Sequence, residues 1–208
     1  MPTSTFFRLP EEKRLRLMDA CWEECTRVRF TDVSINRIIA AAHIPRGSFY
    51  QYFTDKEDMI RYLLKGVREY FIQSLRDILH THEGDLLSLP LGAFDRLGQQ
   101  RGVADPVLAR FIQVLRLNPG IETQSFLTER PGLMPEPLWD ETDMTGLRQQ
   151  NREYAEHIFF LGMAILGGAV VETLQEYSQR EIQRDILQAR IDLLRYGCAA
   201  RTHEEETT

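Results

Sequence analysis

Residues 34–53 read SINRIIAAAHIPRGSFYQYF, and this stretch predicts two short helices joined by a tight turn. The first helix is expected to run from Ser34, its cap, to Ala42. Its apolar side chains recur at helical spacing along one face: Ile35, Ile38, Ile39 and Ala42. His43 lies in the turn, and Pro45 stands at the start of the second helix, where a proline is tolerated.

The second helix has one apolar and one polar face. Phe49 and Phe53 are four residues apart and form its inner face. Its other side chains can hydrogen-bond to phosphates or base edges: Arg46, Ser48, Tyr50, Gln51 and Tyr52. A short helix with these two faces suits insertion into the major groove of DNA, so the stretch is interpreted as a helix-turn-helix.

The charge of the chain is unevenly distributed. The formal net charge over 208 residues is −6, which taken alone argues against a nucleic acid as partner. Residues 13–54 contain seven basic and four acidic side chains, a balance of +3, so the rest of the chain carries −9. This asymmetry suits a small DNA-binding head on an acidic body.

The cysteines and the apolar runs favour a reducing cytosol. Cys21, Cys25 and Cys198 form no disulfide or metal framework, and the first two, one helical turn apart, are expected to be small buried residues. The longest apolar run, 158–171, is too short to span a bilayer, and the N-terminus lacks the pattern of a signal peptide. We expect a cytoplasmic protein that has no membrane partner.

Around the helix-turn-helix, further helices complete a head. Residues 1–9 are expected to form a poorly fixed arm, with Phe6 and Phe7 able to dock on the body. A helix is predicted from Pro10 to about Val28. Its buried stripe is expected at spacings of three and four residues: Leu15, Met18, Trp22 and Cys25.

A long helix is predicted to connect the head to the body. Thr54 or Asp55 is the expected cap, and the helix reaches about His80 as a stiff rod. Lys56, in its first turn, is expected to lie close to the DNA-facing side of the head.

The middle of the chain is interrupted by glycine and proline. Helices are predicted over 85–100, 106–117 and 122–128. The residues at 118–120 are expected to end the second of these helices, and 130–140 to form an irregular loop.

Two long helices are predicted in the last third, over 143–178 and 180–200. The second has two adjacent apolar stripes: Ile182, Ile186, Ala189, Leu193 and Tyr196, and beside them Leu187, Ile191, Leu194 and Cys198. Stripes this wide require cover from the body and from a second subunit, which predicts a homodimer through these helices. Three glycines in the first helix cost about 1 kcal/mol each, which close helix–helix approach would offset: Gly162, Gly167 and Gly168.

The chain therefore is predicted to be all-α. The expected domains are a helix-turn-helix domain over 1–55, a helical regulatory and dimerisation domain over 56–200, and a disordered tail over 201–208.

The head resembles the tetracycline-repressor (TetR) family of bacterial transcription regulators. The matching residues run from about 15 to 64, a quarter of the chain, and are most specific in SINRI at 34–38, IPRGSFYQYF at 44–53 and DKED at 55–58. Two positions depart from the family pattern, because His43 and Arg29 stand where glycine is usual. Histidine is one of the few residues enriched at positive φ, so the turn can survive.

The resemblance implies a homodimeric repressor that a small-molecule ligand releases from double-stranded operator DNA. It also implies DNA contacts by ten residues: Ser34, Asn36, Arg37, Arg46, Gly47, Ser48, Tyr50, Gln51, Tyr52 and Lys56. For Arg37 a solvated surface role is an equal alternative. On chemistry alone, Arg46 and Gln51 are the best base readers, since guanidinium matches guanine and amide matches adenine. Ser48, Tyr50 and Lys56 are better suited to phosphates.

The ligand-binding residues remain unidentified. The aromatic candidates for a pocket are each more consistent with plain core than with ligand contact: Phe71, Phe94, Phe111, Phe126, Trp139, Tyr154 and Phe160. His157 is expected to be a core histidine, with a role in the pocket as the alternative. A group at a helix end, namely His80, His82, Glu83 and Asp85, has irregular spacing and is interpreted as solvated surface rather than a metal site.

Two other classes of function compete with the regulator. An all-α enzyme would need a nucleophile with a base or clustered ligands. The sequence has no such arrangement, phosphate loop or metal motif, so we expect neither catalysis nor a cofactor. A helical adaptor that binds only protein would use the wide C-terminal stripes without binding DNA. Salt-dependent DNA binding discriminates between the regulator and both alternatives.

Overall fold

The fold follows from amphipathic helices whose apolar faces pack into two units. The computed structural model describes residues 1–98, 106–119 and 134–197, and within them the chain is all-helical, without a strand, as predicted. The units are Met1–Gln73 with Gln99–Leu127, and Ser74–Gly98 with Thr128–Thr208. The predicted helix over 122–128 and tail over 201–208 lie outside the described residues. The predicted domain boundary after residue 55 stays a prediction.

The helices of the first unit are α1 (Ser4–Phe7), α2 (Glu11–Cys25), α3 (Ile35–Ala42), α4 (Arg46–Tyr52), the first part of α5 (Lys56–Thr81) and α7 (Pro106–Leu117). They share one apolar core, whose largest members include Phe6, Leu17, Ile38, Phe49, Phe53, Met59, Leu63 and Val114. Helix α7 has the predicted bounds, and its Val114 is fully buried in this core.

Helix α2 begins and ends differently from the prediction. Pro10 precedes the first turn, where Glu11 and Glu12 face the positive end of the helix dipole. The helix ends at Cys25 rather than near Val28. Burial raises the pKa of the Cys21 thiol, and raises that of Cys25 to about 12, so both are neutral, small core residues as expected.

The predicted buried stripe of α2 was correct at Cys25 and wrong at Leu15. Cys25 is fully buried, Leu15 is 55% exposed, and Met18 and Trp22 are half-buried against the core. The other buried residues are Leu17, Ala20, Cys21 and Glu24. The inward face therefore includes a glutamate, which an apolar pattern does not predict.

The expectation of a poorly fixed N-terminal arm was also wrong. Residues 1–9 include helix α1, and the Phe6 side chain is fully buried in the core of the first unit. Phe7 remains exposed. The gain from burying one aromatic ring is enough to order a short segment that propensity alone would leave loose.

Helix α5 has close to its predicted bounds. Asp55 is its cap, because its Oδ1 accepts a hydrogen bond from the Asp58 amide at 2.7 Å. The division between the two units falls inside this helix. After Thr81 the backbone turns at Glu83 and Gly84, both at positive φ. A Cβ on Gly84 would lie 2.4 Å from the Asp143 nitrogen, so glycine is required at this point.

The second unit contains the end of α5, then α6 (Leu89–Gly98), α8 (Arg152–Gln175) and α9 (Arg180–Tyr196). Helix α8 packs on both α6 and α9. Arg184 of α9 pairs bidentately with Asp95 of α6, at 2.7 Å for both bonds. Short 3₁₀ helices cover Leu86–Ser88, Glu136–Glu141 and Tyr177–Gln179.

Three predictions for this unit needed correction. Helix α8 begins at Arg152, not near residue 143, because Asn151 caps it by accepting from the Tyr154 amide at 2.9 Å. Asp143 instead forms a local turn by accepting from the Thr145 amide at 2.8 Å. A 3₁₀ helix lies where the irregular loop was predicted. The predicted helix over 85–100 starts with the 3₁₀ turn, and α6 follows it.

Helix α8 buries one side and leaves the other uncovered. By length and composition Arg152–Thr173 could span a membrane, and a third of that window is buried within the unit. His157 is exposed, so its assignment to the core was wrong. Gly162 does permit the close approach of a neighbouring residue, since a Cβ built on it would lie 3.0 Å from Pro90 Cγ. Gly168, by contrast, is exposed.

The two apolar stripes of α9 have different environments in the single chain. Leu187 and Ile191 of the second stripe are buried and Leu194 is 38% exposed, whereas the first stripe is mostly exposed, with Ile186 half-buried and Tyr196 exposed to 76%. We call the exposed large apolar side chains of the two last helices the apolar face: Phe160, Leu161 and Val171 of α8 and Ile182, Leu193, Leu194 and Tyr196 of α9. Of the aromatic pocket candidates, Phe94 is buried and Phe126 lies outside the described residues.

Candidate nucleic-acid interface

The turn between α3 and α4 is built by backbone hydrogen bonds around His43. This residue has φ 54° and ψ 47°, the left-handed conformation that glycine usually occupies. The Ile44 amide donates to the Ile39 carbonyl at 3.0 Å and the His43 amide to the Ala40 carbonyl at 3.2 Å. These two bonds form a Schellman motif, so the histidine keeps the turn that the sequence predicted.

Helix α3 is held at both ends by side chains of α2. Glu24 is buried, pairs with Arg27, and accepts the Ser34 amide at 3.0 Å. Arg16 Nε donates to the Ala42 carbonyl at 3.1 Å. Ser34 occupies the cap position as predicted, but its hydroxyl makes no capping hydrogen bond. Glu24 and Arg16 are functional supports that sequence reasoning missed, because each acts on backbone groups far along the chain.

Helix α4 is anchored by its aromatic side chains. Phe49 and Phe53 are fully buried, as predicted. Tyr52 is only 8% exposed, so its prediction as an exposed surface tyrosine was wrong. It lies one helical turn from Phe49, and its ring centroid is 6.4 Å from that of Phe6. The N-terminal arm therefore covers a side chain that would otherwise face outward.

The structure brings most of the predicted DNA-contacting residues onto the outer side of α3 and α4. We call this the polar face, and it consists of Asn36, Arg37, Arg46, Gly47, Ser48, Tyr50 and Gln51. All but the half-buried Ser48 are exposed. The Arg46 guanidinium donates through Nη1 to Asn36 Oδ1 at 2.8 Å, so two predicted contact residues on different helices are hydrogen-bonded to each other.

The remaining predicted contact residues border this face. Ser34 and Lys56 are half-buried. The Lys56 ammonium donates to the Thr31 carbonyl at 2.7 Å, and two of its three donors are left for other acceptors.

The space that a side chain at Gly47 would occupy is empty within the described chain. A Cβ built on it has no heavy atom within 4 Å, and the residue is exposed. Because glycine in a helix is less stable than alanine by up to about 1 kcal/mol, packing gives no reason for this residue. An external surface that must approach the backbone closely would give one.

The N-terminal arm contacts the other end of α4. The Thr3 amide donates to the Tyr52 carbonyl at 3.0 Å and its hydroxyl to the Gln51 carbonyl at 2.5 Å. The hydrogen bond from the Met1 amino group lowers the pKa of the buried Asp58 carboxyl, which also accepts the Thr54 amide. The aromatic pair at residues 6–7 was the sequence signal for this docking.

The histidines at the end of α5 lie at the surface. His80 is 83% exposed, and its Nδ1 lies 3.4 Å from Glu141 Oε2. Within residues 1–98, 106–119 and 134–197, no group of three or more His, Cys, Asp or Glu side chains could hold a metal ion.

Known proteins share both the sequence of the head and the fold. Residues 17–63 match the sequence model of a family described as bacterial regulatory proteins, tetR family. The transcriptional regulator AcuR of Cereibacter sphaeroides is 36% identical over 59 residues, covering 28% of this chain and 27% of that regulator. The chain thus matches about a quarter of the length of this curated relative.

Two solved structures resemble the whole chain. A TetR family transcriptional regulator from Chloroflexus aurantiacus J-10-fl has a TM-score of 0.51 at 27% identity, covering 97% of this chain and 100% of that one. A structure from Pseudomonas aeruginosa PAO1 has a TM-score of 0.60 at 20% identity, covering 93% and 96%, and is similar in fold alone.

The class of protein follows first from the fold. An all-helical chain with an N-terminal helix-turn-helix and an exposed polar face on its second helix is of the kind that regulates transcription through DNA. The matches agree with this class: the chain is similar to TetR family transcription regulators, by sequence in residues 17–63 and by structure over 97% of its length. This is a family of regulators, which in general are not enzymes.

Proposed function

We propose that the chain is a cytoplasmic homodimeric repressor. Its polar face binds a near-palindromic operator, and a small-molecule ligand releases it. The observation that carries this proposal is the polar face itself. Seven residues of two short helices present hydrogen-bonding groups and one bare backbone position outward, while Ile38 and Phe49 anchor these helices in the core.

Dimerisation is supported by the apolar face. Seven large apolar side chains are exposed on α8 and α9, including Leu193, while Leu187 and Ile191 of α9 are buried inward. Exposed apolar clusters of this kind mark interaction sites. A second copy of the same face would cover it symmetrically, and two heads would then address half-sites about one helical turn of DNA, or a multiple of it, apart.

Two observations support release by a ligand: the resemblance to TetR family regulators and a helix that continues from the first unit into the second. Helix α5 runs without interruption from Lys56, beside the polar face, to Thr81 in the second unit. A ligand that binds one conformation of the second unit more tightly than another would shift the population of head arrangements by that difference in affinity.

The second candidate function is a helical adaptor that binds only protein. The apolar face favours it as much as it favours a dimer, whereas the polar face does not. DNA binding therefore separates the two candidates.

The test is binding to a duplex selected by the wild-type protein from a random-sequence library. Tyr50→Ala and Lys56→Ala should each weaken binding and leave the oligomeric state unchanged. Lys56→Ala should also lower the slope of log affinity against log salt by about 1, the value for one lost phosphate contact. The matched control is Lys65→Ala, which removes an exposed lysine of the same helix that pairs with Glu69 at 3.6 Å.

Selection that recovers no preferred duplex, or wild-type affinity in both variants, would refute the DNA-binding assignment. A salt slope that falls equally in Lys65→Ala would mean that Lys56 contributes only general charge.

A further inference from the structure

Helix α4 lacks a C-terminal cap of its own. The last four carbonyls of a helix have no partner within it. In α3 that need is met locally by the left-handed turn at His43. After α4 the chain instead becomes extended at Phe53, with φ −129° and ψ 140°, so no such turn forms.

The N-terminal arm supplies the missing partners. Thr3 donates its amide to the Tyr52 carbonyl at 3.0 Å and its hydroxyl to the Gln51 carbonyl at 2.5 Å. One residue thus satisfies two of the last carbonyls of α4, and the Phe53 amide satisfies that of Phe49 at 2.9 Å. Thr3, which is distant in the sequence, provides for α4 what the left-handed turn at His43 provides for α3.

Phe6 fixes the position of Thr3. Its fully buried ring packs against those of Phe53 and Tyr62, at centroid distances of 5.2 and 5.3 Å. These two rings belong to the residue after α4 and to α5. The arm therefore bridges the end of α4 and the helix that follows it.

This end of α4 matters because the helix is short. Gln51, whose carbonyl accepts from Thr3, has its side chain on the polar face, and Tyr50 precedes it. Bidentate hydrogen bonds to base edges tolerate little displacement of the donor, whereas non-specific attraction to phosphates depends mainly on charge. A small change in the axis of α4 would therefore weaken sequence-specific contacts with bases far more than non-specific attraction to phosphates.

We propose that Thr3 and Phe6 are positioning residues for DNA recognition. The arm clamps the C-terminal end of α4 and so sets the specificity of binding without touching DNA. This inference rests on the proposed function, and it adds residues outside the helix-turn-helix to those that determine specificity.

The decisive variant is Thr3→Val, which removes the hydroxyl donor but keeps the shape and the amide. Affinity is measured for the selected duplex and for a scrambled duplex of equal length at the same salt concentration. Loss of one hydrogen bond should weaken binding to the selected duplex by about fivefold. Binding to the scrambled duplex should stay at the wild-type value, and the melting temperature should fall by only a few degrees, as expected for one lost intramolecular hydrogen bond.

Two controls accompany it. Thr3→Ser keeps a hydroxyl and should restore wild-type specificity. Thr5→Val makes the same chemical change at an exposed threonine of α1 and should have no effect. Phe6→Leu should reproduce the loss of specificity in any fraction that remains folded.

Three results would overturn the inference. Thr3→Val could bind both duplexes like wild type, Thr3→Ser could behave like Thr3→Val, or affinity could fall equally for both duplexes. If Tyr50→Ala weakens binding while Thr3→Val does not, only this inference fails. If neither variant has an effect, the proposed function fails with it.

Discussion

The polar face and the apolar face are both left uncovered by the single chain, yet they differ in chemistry. The polar face presents a guanidinium, amides and a tyrosine 48% exposed, on helices anchored by buried rings. The apolar face presents aliphatic and aromatic side chains on helices whose other sides are buried. The groups of a polar surface are hydrogen-bonded to water, so a partner must offer polar groups that replace those bonds. An apolar surface instead binds favourably because burying it removes apolar area from water. The difference points to two unlike partners, DNA and a second copy.

The largest expected effect tests the apolar face. Leu193→Asp would place one carboxylate from each copy in a symmetric interface, and a buried unpaired charge costs several kcal/mol. The dimer dissociation constant should rise by about 1,000-fold or more, measured by analytical ultracentrifugation. Gln149→Asp adds the same charge at an exposed loop residue and should leave the dimer intact. Unchanged dimerisation of Leu193→Asp would show that this face is not the dimer interface.

The next effect tests whether the polar face acts as a unit. Arg46→Ala should weaken binding to the selected duplex by roughly 30-fold, and Asn36→Ala by less, because Asn36 also orients the Arg46 guanidinium. The DNA affinity of the double variant should fall by less than the product of the two single-variant fold-losses. In a double-mutant cycle this difference corresponds to a coupling energy of about 1 kcal/mol.

The same cycle with Arg37→Ala in place of Asn36→Ala provides the comparison, since both residues lie on α3. Full additivity between Asn36 and Arg46 would mean that their hydrogen bond plays no part in DNA binding.

The smallest effect separates stability from binding on the polar face. Gly47→Ala should raise the free energy of unfolding by about 0.5–1 kcal/mol, because alanine is the better helix former and its Cβ meets nothing. Affinity for the selected duplex should nevertheless fall several-fold, by roughly 1 kcal/mol, if DNA approaches this backbone closely. Urea denaturation and gel shift measure the two quantities.

Gly66→Ala is the matched control, since a Cβ on this exposed residue of α5 also meets nothing. It should stabilise the protein without changing DNA affinity. Equal affinity of Gly47→Ala and wild type would remove the proposed reason for glycine at position 47.

Local sequence patterns were sufficient for much of the fold. The pair Phe49 and Phe53 identified the inner side of α4, Pro45 its start, and Pro106 to Leu117 the bounds of α7. Such signals depend on residues within one or two turns of each other, where spacing alone decides which side chains share a face. The turn at His43 was predictable for the same reason.

The errors fall where a distant part of the chain decides the outcome. Leu15 is exposed because the inner face of α2 contains Glu24, whose carboxylate is needed at the start of α3. Tyr52 is buried because Phe6 packs beside it. The start of α8 is the exception, because local side chains decide it: Asn151 caps the helix and Asp143 forms a turn of its own. Hydrophobic periodicity contains no information about such partners.

By itself the sequence determined the helix-turn-helix, its resemblance to the TetR family and the polar side chains that the two helices present, because these depend on residue type and helical spacing. Only the tertiary structure decided that Tyr52 turns inward, that Arg46 and Asn36 meet, and that Thr3 closes the end of α4. Those results depend on contacts between segments far apart in the chain, and a hydrogen bond or a buried ring exists only once folding has brought both partners together.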